Sequence, residues 1–195
     1  MTQSNPIVVV SGLPRSGTSL MMRMLRAGGM PVVTDNGRMS DSDNPKGYFE
    51  LEAVKQMSRG TEWLADAAGK ALKVVSKLLQ DLPDTCTYRI IFMCRDYREV
   101  IASQNKMLRN RGTSGAGVPD EKLMEIYEKH VARVLQACRG RADMELHTVP
   151  YGELVTAPEQ PIRQIAEFLA PIRKLDTEAM RTVIDPTLYR NRVGS

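Results

Sequence analysis

The stretch Ile7-Val-Val-Val-Ser-Gly12-Leu-Pro-Arg15-Ser16-Gly17-Thr18-Ser19 decides the fold of this 195-residue chain. Its apolar start predicts a buried parallel strand over residues 7–11. A loop between two glycines follows, and Leu20-Met-Met-Arg-Met-Leu-Arg26 then has helical character. A strand, a loop and a helix in this order aim backbone N–H groups and a helix N-terminus at an anion. We therefore predict an anion-binding loop over residues 12–19.

The spacing of the two loop glycines, Gly12 and Gly17, is that of a phosphate loop. The ending differs from the common pattern, because no lysine follows Gly17 and Arg15 lies inside the loop instead. The loop is thus expected to hold a phosphate-like group without being a standard nucleoside triphosphatase loop. The plainer alternative is a glycine turn that only joins a strand to a helix.

The length and composition predict one globular domain over residues 1–195. The hydrophobic fraction of 42% and the charged fraction of 26% are ordinary for such a domain. No run of 18 apolar residues occurs, so we expect no membrane span. Strand one begins too early to leave room for a signal peptide, so we expect a cytoplasmic location.

The net charge of +4 suits a small polyanionic ligand. The chain has no dense basic run and only 5% aromatic residues, which argues against nucleic acid or a membrane surface as partner. Three cysteines, Cys86, Cys94 and Cys138, lack metal-ligand spacing. They predict reduced, buried thiols, and we expect no metal site.

Strands and helices alternate along the chain, which predicts a three-layer α/β domain with a mainly parallel sheet. The predicted strands cover residues 7–11, 71–75, 88–94 and 144–149, with a short candidate at 31–34. The predicted helices cover residues 18–28, 49–58, 61–68, 97–110, 120–138, 161–169 and 177–183, with Asp120 as an N-cap.

Ligands of such domains bind at the carboxyl ends of the strands. Arg95 directly follows the strand 88–94, and Ser103 lies eight residues later, about two helical turns on. An arginine there can pair with a phosphate through two N–H groups, and the serine hydroxyl can donate to the same group. The polar loop 35–48 is long for a compact domain, and such loops are often functional.

Three segments resemble the sulfotransferase family, which uses 3′-phosphoadenosine 5′-phosphosulfate (PAPS) as donor. Leu13-Pro-Arg-Ser-Gly-Thr-Ser19 is similar to its 5′-phosphosulfate loop, and Cys94-Arg-Asp-Tyr-Arg-Glu-Val-Ile-Ala-Ser103 is similar to its 3′-phosphate motif. Val149-Pro-Tyr151-Gly-Glu-Leu-Val is similar to a third family segment. The segments come in the family's order and span most of the chain. The resemblance implies a P-loop-containing α/β/α fold, with 3′-phosphoadenosine 5′-phosphate as the product left by the donor.

The resemblance also implies donor-binding residues. Arg95 and Ser103 would hold the 3′-phosphate, and Tyr151 would line the adenine site. Arg190 and Arg192 would take the place of a glycine-rich C-terminal 3′-phosphate loop that is missing here. The 5′-phosphate would be cradled by the backbone N–H groups of four loop residues, namely Ser16, Gly17, Thr18 and Ser19.

Catalytic roles follow from the same resemblance. Arg15 would stabilise charge on the leaving phosphate, and a strand-end lysine, Lys73 or alternatively Lys77, would touch the sulfonate. Cytosolic members place a histidine base where Val75 stands here. The base expected instead is Glu50, in Asn44-Pro-Lys-Gly-Tyr-Phe-Glu50, with Asp35 as second choice. A further departure is Leu20, which stands where those members have an adenine-stacking tryptophan.

Other interpretations stay open at this point. The chain could be a P-loop kinase or nucleotide hydrolase, although the lysine after Gly17 is missing. It could also be a nucleotide-binding module that has lost its base. His130 and His147 are expected to be structural, with a catalytic role as the alternative. The loop 109–119 is a candidate lid or an insert. The acceptor, a hydroxyl or amine of a small molecule, lipid or glycan, is undetermined.

Overall fold

Four parallel strands form the central sheet of the computed structural model, which describes residues 5–35, 49–113, 117–185 and 187. Their order across the sheet is β2-β1-β3-β4. The strand β1 carries the apolar run of the decisive stretch and lies inside the sheet, where all six of its residues are buried. The strands are β1 Ile7–Gly12, β2 Ala71–Lys73, β3 Tyr88–Cys94 and β4 Met144–Pro150.

Helices cover both faces of the sheet and make three layers. Val8 and Val10 point into one apolar core, and Ile7 and Val9 point into the other, because side chains alternate along a strand. This arrangement confirms the predicted α/β class. The helices in the described ranges are α1 Thr18–Ala27, α2 Glu52–Lys55, α3 Tyr97–Asn110, α4 Asp120–Arg139, α5 Tyr151–Thr156, α6 Glu159–Leu169 and α7 Thr177–Thr182.

The segment between α1 and β3 departs most from expectation. The predicted helices 49–58 and 61–68 are replaced by the single turn α2 and by 3₁₀ turns at Met57–Arg59 and Glu62–Ala67. Gly60 separates these turns with a φ of 149°, a conformation that a helix cannot contain. The predicted strand 31–34 is reduced to one bridge between Val32 and Ala71. Here tertiary contacts override the local helical pattern.

The strand β2 is shorter than predicted, because the chain turns away after Lys73. Val74 still donates its N–H to the Val10 carbonyl at 3.0 Å, and a 3₁₀ turn then covers Ser76–Asp81. The helix α4 begins at Asp120, but Pro119 rather than Asp120 occupies the cap position. Sequence patterns also missed α5, which starts directly at Tyr151. No helix in the described parts of the chain has the length and apolar character needed to cross a bilayer.

Candidate functional site

The carboxyl ends of the strands gather the predicted site residues at one edge of the sheet. The parallel register pairs Gly12 with Met93, and Cys94 with Pro150, so β1, β3 and β4 end at the same level. The glycine loop, Arg95 and Tyr151 each follow one of these strand ends. The edge that binds ligands in open α/β sheets therefore carries the residues singled out from the sequence.

Backbone conformation explains both glycines of the loop. Gly12 has a φ of 147°, and a Cβ there would lie 2.4 Å from Ser16 Oγ. Gly17 has a φ of 102°, and a Cβ there would lie 2.3 Å from Cδ2 of Tyr151. Arg15 adopts a φ of 76° without being glycine, which stores local strain at this position. The loop is thus a tightly specified shape rather than a plain connection.

The loop delivers the N-terminus of α1 to the sheet edge. Gly17 occupies the cap position and has no side chain there, and no acidic residue lies in the first turn. The N–H groups that open a helix have no partner within it, so they and the helix dipole favour an anion. Met21 donates to the Gly17 carbonyl at 3.2 Å as the helix begins. Of the predicted cradle, the N–H of Ser16 is bonded inside the loop, to the Leu13 carbonyl at 3.1 Å.

The hydroxyl of Ser16 is buried and has no hydrogen-bond partner among the described residues. Such a group costs free energy unless a ligand or water satisfies it. A cavity of about 40 Å³ lies against it, lined also by Leu13, Arg95 and Val131. A ligand pocket needs about 300 Å³ or more. The cavity is therefore too small to enclose a nucleotide, and it has room for water or for a small polar group next to Ser16.

Side chains of α3 hold the loop from one side. Arg15 Nε donates to Ser103 Oγ at 3.0 Å, and Gln104 Nε2 donates to the Pro14 carbonyl at 3.0 Å. Tyr127 on α4 in turn donates its hydroxyl to Gln104 Oε1 at 2.6 Å. The predicted 5′-phosphate loop and the predicted 3′-phosphate motif are thus in direct contact.

Arg95 joins the loop to β3 and α5. Its NH1 donates to the Arg15 carbonyl at 3.1 Å, and its Nε donates to Glu99 Oε2 at 2.8 Å. Its guanidinium also lies 4.5 Å from the ring centroid of Tyr151. Burial raises the pKa of the Tyr151 hydroxyl, which keeps it protonated. The ring of Tyr151 therefore contacts Arg95 and the backbone of Gly17, and an adenine contact remains a prediction.

The strand-end lysine lies next to the loop on its other side. Lys73 pairs in register with Val10 and is only 8% exposed, whereas Lys77 is exposed on the following turn. A lysine in register with β1 at the carboxyl edge of the sheet suits the predicted contact with a sulfonate better than one on the following turn. The position thus favours Lys73 over Lys77.

The two candidate bases lie beside β2 and contact the same short helix. Thr34 Oγ1 and the Asp35 N–H both donate to the Glu50 carbonyl, at 2.9 and 3.4 Å. The Asp35 carboxylate accepts from the N–H of Glu52 at 2.6 Å, and so stabilises the start of α2. The Glu50 carboxylate pairs with Lys55 at 3.1 Å and keeps 24% of its side chain exposed. Asp35 is exposed and stabilises the start of α2, whereas Glu50 is partly buried in its pair with Lys55.

Both histidines make structural contacts. His130 Nε2 lies 2.9 Å from Ser76 Oγ, and burial lowers the pKa of His130. His147 stacks on Phe168 with ring centroids 5.4 Å apart, and burial lowers its pKa as well. Both imidazoles are therefore neutral at neutral pH.

Two further residues at the site were missed in the sequence analysis. Glu99 lies one helical turn after Arg95, a spacing that can signal an ion pair. Gln104 is next to Ser103, and no sequence signal distinguishes it from other helix glutamines. Arg190, Arg192 and residues 114–116 of the candidate lid lie outside the described residues.

The geometry defines a class of protein, an α/β domain with a glycine-bounded loop between strand and helix at the carboxyl edge of a parallel sheet. Comparisons with known proteins narrow this class. The model of the sulfotransferase family matches residues 36–171, which is more than half of the chain. The chain therefore belongs to the sulfotransferase family. The matched range begins after the loop, so loop and family model are separate indications.

Solved structures agree on the fold. The sulfotransferase domain from the Synechococcus PCC 7002 olefin synthase is similar at a TM-score of 0.58 and 17% identity, with 99% of this chain and 90% of that chain covered. Sulfotransferase STF9 from Mycobacterium avium is similar at a TM-score of 0.54 and 15% identity, with 93% and 68% covered. At these identities the likeness shows the shared fold alone. No curated protein sequence matches the chain.

Proposed function

We propose that the protein is an enzyme that transfers a sulfuryl group from PAPS to a hydroxyl or amine of an acceptor. The observation that carries this proposal is the contact between the phosphate loop and the Arg95–Ser103 motif, made by the bond from Arg15 Nε to Ser103 Oγ. A donor with phosphate groups at both its 5′ and its 3′ positions needs two adjacent anion sites. Membership of the sulfotransferase family supports the same chemistry.

The residues present fit such a donor. The buried hydroxyl of Ser16 has no partner in the described part of the chain, and the start of α1 at Gly17 carries no capping side chain. These groups would hold the 5′-phosphate together with the N–H groups of Thr18 and Ser19. Because Ser103 accepts a bond from Arg15, its own hydroxyl hydrogen can be donated to a 3′-phosphate. Arg95 would hold the same phosphate through its NH2 group.

PAPS supplies an activated sulfuryl group, and negative charge grows on its 5′-phosphate as that group departs. Arg15 and the N-terminus of α1 would stabilise this charge, because fixed donors need no reorganisation during the reaction. Lys73 would neutralise the sulfonate from the adjoining strand end. Glu50 would accept the acceptor's proton. Its carboxylate lies 3.1 Å from the Lys55 ammonium in a partly exposed ion pair.

Nucleotide binding tests this proposal. In thermal melts, 3′-phosphoadenosine 5′-phosphate should raise the Tm more than ADP does, since only the former carries a 3′-phosphate. The Arg95→Ala variant should lose most of that preference, and an unchanged preference would remove Arg95 from the site. Equal stabilisation of the wild-type protein by both nucleotides would contradict the proposed donor. A screen of small-molecule alcohols, lipids and glycans by mass spectrometry would then identify the acceptor.

A second candidate function is nucleotide binding without transfer. It is favoured by Val75, which stands where the resemblance places a histidine base and is 37% exposed. In that case the bisphosphate nucleotide still binds, no acceptor is sulfated, and Glu50→Gln changes nothing. Family membership argues against the remaining alternative, a P-loop kinase or nucleotide hydrolase. Magnesium-dependent turnover of ATP by the pure protein would restore it.

A further inference from the structure

A buried ion pair lies within the predicted 3′-phosphate motif. Arg95 Nε donates to Glu99 Oε2 at 2.8 Å, and the two side chains are only 8% and 4% exposed. A buried pair of opposite charges loses the solvation of both groups and depends on good mutual geometry. Neither the role of Arg95 as a phosphate ligand nor the start of α3, which Asp96 caps, explains why a carboxylate lies here.

The pair fixes the direction in which Arg95 points. With Nε held by Glu99, the NH1 group reaches the Arg15 carbonyl at 3.1 Å, and the guanidinium lies over the Tyr151 ring. The Arg15 carbonyl belongs to a residue with a φ of 76°, so this bond supports a strained part of the loop. Glu99 therefore acts on the loop indirectly: its carboxylate contacts Arg95, and Arg95 contacts the loop.

The same carboxylate opposes the binding of an anion. A phosphate that approaches Arg95 meets an arginine already neutralised by Glu99, and it is repelled by the negative charge of Glu99 at short range. In the free protein, by contrast, Glu99 compensates a buried cation that would otherwise be costly. Glu99 thus stabilises the protein without nucleotide and lowers its affinity for a 3′-phosphate.

We propose that Glu99 is a positioning and specificity-determining residue, which orients Arg95 and lowers the affinity for the 3′-phosphate of a nucleoside 3′,5′-bisphosphate. This proposal rests on the proposed function, because it assigns the 3′-phosphate to Arg95. Its consequence for turnover is that the desulfated product, which keeps its 3′-phosphate, is not held too tightly to leave.

The Glu99→Gln variant separates charge from orientation. Glutamine keeps an oxygen that accepts from Arg95 Nε and removes one negative charge. We expect the Tm of the free protein to fall by about 5 °C. We expect the affinity for 3′-phosphoadenosine 5′-phosphate to rise about tenfold, with that for adenosine 5′-phosphate unchanged. The decisive quantity is the Kd for adenosine 5′-phosphate divided by the Kd for 3′-phosphoadenosine 5′-phosphate, measured by titration calorimetry, and Glu99→Gln should raise this ratio. General destabilisation does not change the ratio in this direction.

Two further variants control the experiment. Glu99→Asp keeps the charge and shortens the reach, so its Kd ratio should fall below that of the wild type; a rise like that of Glu99→Gln would refute the charge argument. Asp143→Asn removes the charge from another partly buried pair, Arg141–Asp143 at 2.6 Å, which lies at the amino ends of β3 and β4. It should lower the Tm without changing the ratio.

The outcomes distinguish the two proposals. If the wild type does not prefer the bisphosphate nucleotide, the proposed function itself fails. If the wild type prefers it and Glu99→Gln leaves the ratio unchanged or lowers it, only the role of Glu99 is overturned. If free Glu99→Gln does not fold, 3′-phosphoadenosine 5′-phosphate, and not adenosine 5′-phosphate, should restore a cooperative melt. Absence of this rescue would equally overturn the role of Glu99.

Discussion

Two regions flank the predicted reaction centre, and they differ in how their residues are held. The loop region comprises residues 12–19 with Arg95, Ser103 and Tyr151. Its members are held by one another, through hydrogen bonds near 3 Å and a close approach of a ring to Gly17. The β2 edge comprises Asp35, Glu50, Lys55, Lys73 and Ser76 with His130. Its carboxylates are held by a single turn of helix and by an exposed lysine.

We expect the two regions to divide two tasks, with the loop region binding the donor and the β2 edge contacting the acceptor. A donor that is the same in every turnover suits a rigid, preorganised site, because preorganised groups stabilise developing charge most effectively. An acceptor is recognised by loops, which vary and carry specificity. The four predictions below test this division, beginning with the largest expected effect.

Removal of Arg15 should cost the most activity. Arg15→Ala deletes the side chain that would stabilise the leaving phosphate and that bonds Ser103. We expect kcat to fall about 10³-fold, since loss of one preorganised donor costs about 10²- to 10³-fold. Steady-state kinetics with PAPS and an identified acceptor measure this. The control is Arg98→Ala, an exposed arginine of the same motif, and equal losses in both variants would contradict a special role for Arg15.

Gly17 should tolerate substitution poorly. Gly17→Ala combines a φ of 102° with a Cβ only 2.3 Å from the Tyr151 ring, so the loop or the ring must shift. We expect the free energy of unfolding to fall by about 3 kcal/mol in urea denaturation. Gly29→Ala is a matched control, because its φ is 92° and nothing lies within 4 Å of the added Cβ. It should cost about 1 kcal/mol, and similar losses would show that the ring contact is unimportant.

At the β2 edge, substitution of Glu50 should lower activity rather than stability. Glu50→Gln keeps the shape of the side chain and removes the proposed base, so kcat should fall about 10²-fold. The melting temperature should change little, because the lost Lys55 pair is exposed. Asp35→Asn provides the comparison, since it weakens the hydrogen bond from the Glu52 N–H at the start of α2 and should lower stability more than kcat. The reverse pattern would exchange the roles of the two carboxylates.

The smallest effect is expected at His130. Burial lowers its pKa in the folded protein, so protonation favours the unfolded state. Stability from this group is complete above the ordinary pKa of about 6.5 and is lost as the pH falls below it. His130→Gln should flatten that acid dependence in urea denaturation and leave kcat within about threefold. A large loss of kcat with a changed pH profile would instead make the histidine the base.

The hydrophobic periodicity and the glycine spacing of the sequence were enough to predict much of the loop region. The limits of β3 and α3 match the predicted ones, and the glycine spacing located a loop whose φ angles require glycine. The reason is physical: a buried apolar strand and a long amphipathic helix each carry a strong periodic signal. The pairing of Arg95 with Glu99 was missed, although its one-turn spacing is visible in the sequence.

The β2 edge was predicted poorly, because its structure depends on contacts distant in sequence. Residues 49–58 have a helical pattern, but the chain there is held by Thr34, which donates to the Glu50 carbonyl, and by Asp35, which accepts from the Glu52 N–H. Local propensity is a weak influence when such contacts compete with it. The same holds for Lys73, since a strand-end lysine is usually exposed and only the fold buries this one to 8% exposure.

The sequence alone determined the α/β class, the glycine loop between β1 and α1 and the resemblance to sulfotransferases, since strand periodicity and glycine spacing are local properties of the chain. Only the tertiary structure decided that Arg15 bonds Ser103 across 88 positions and that Glu99 is buried against Arg95. It also decided that Tyr151 packs on Gly17. The physical reason is that the contacts of Arg15 and Tyr151, and the burial of the Arg95–Glu99 pair, arise when parallel strands end at one level, and the register of a sheet is set by the whole core.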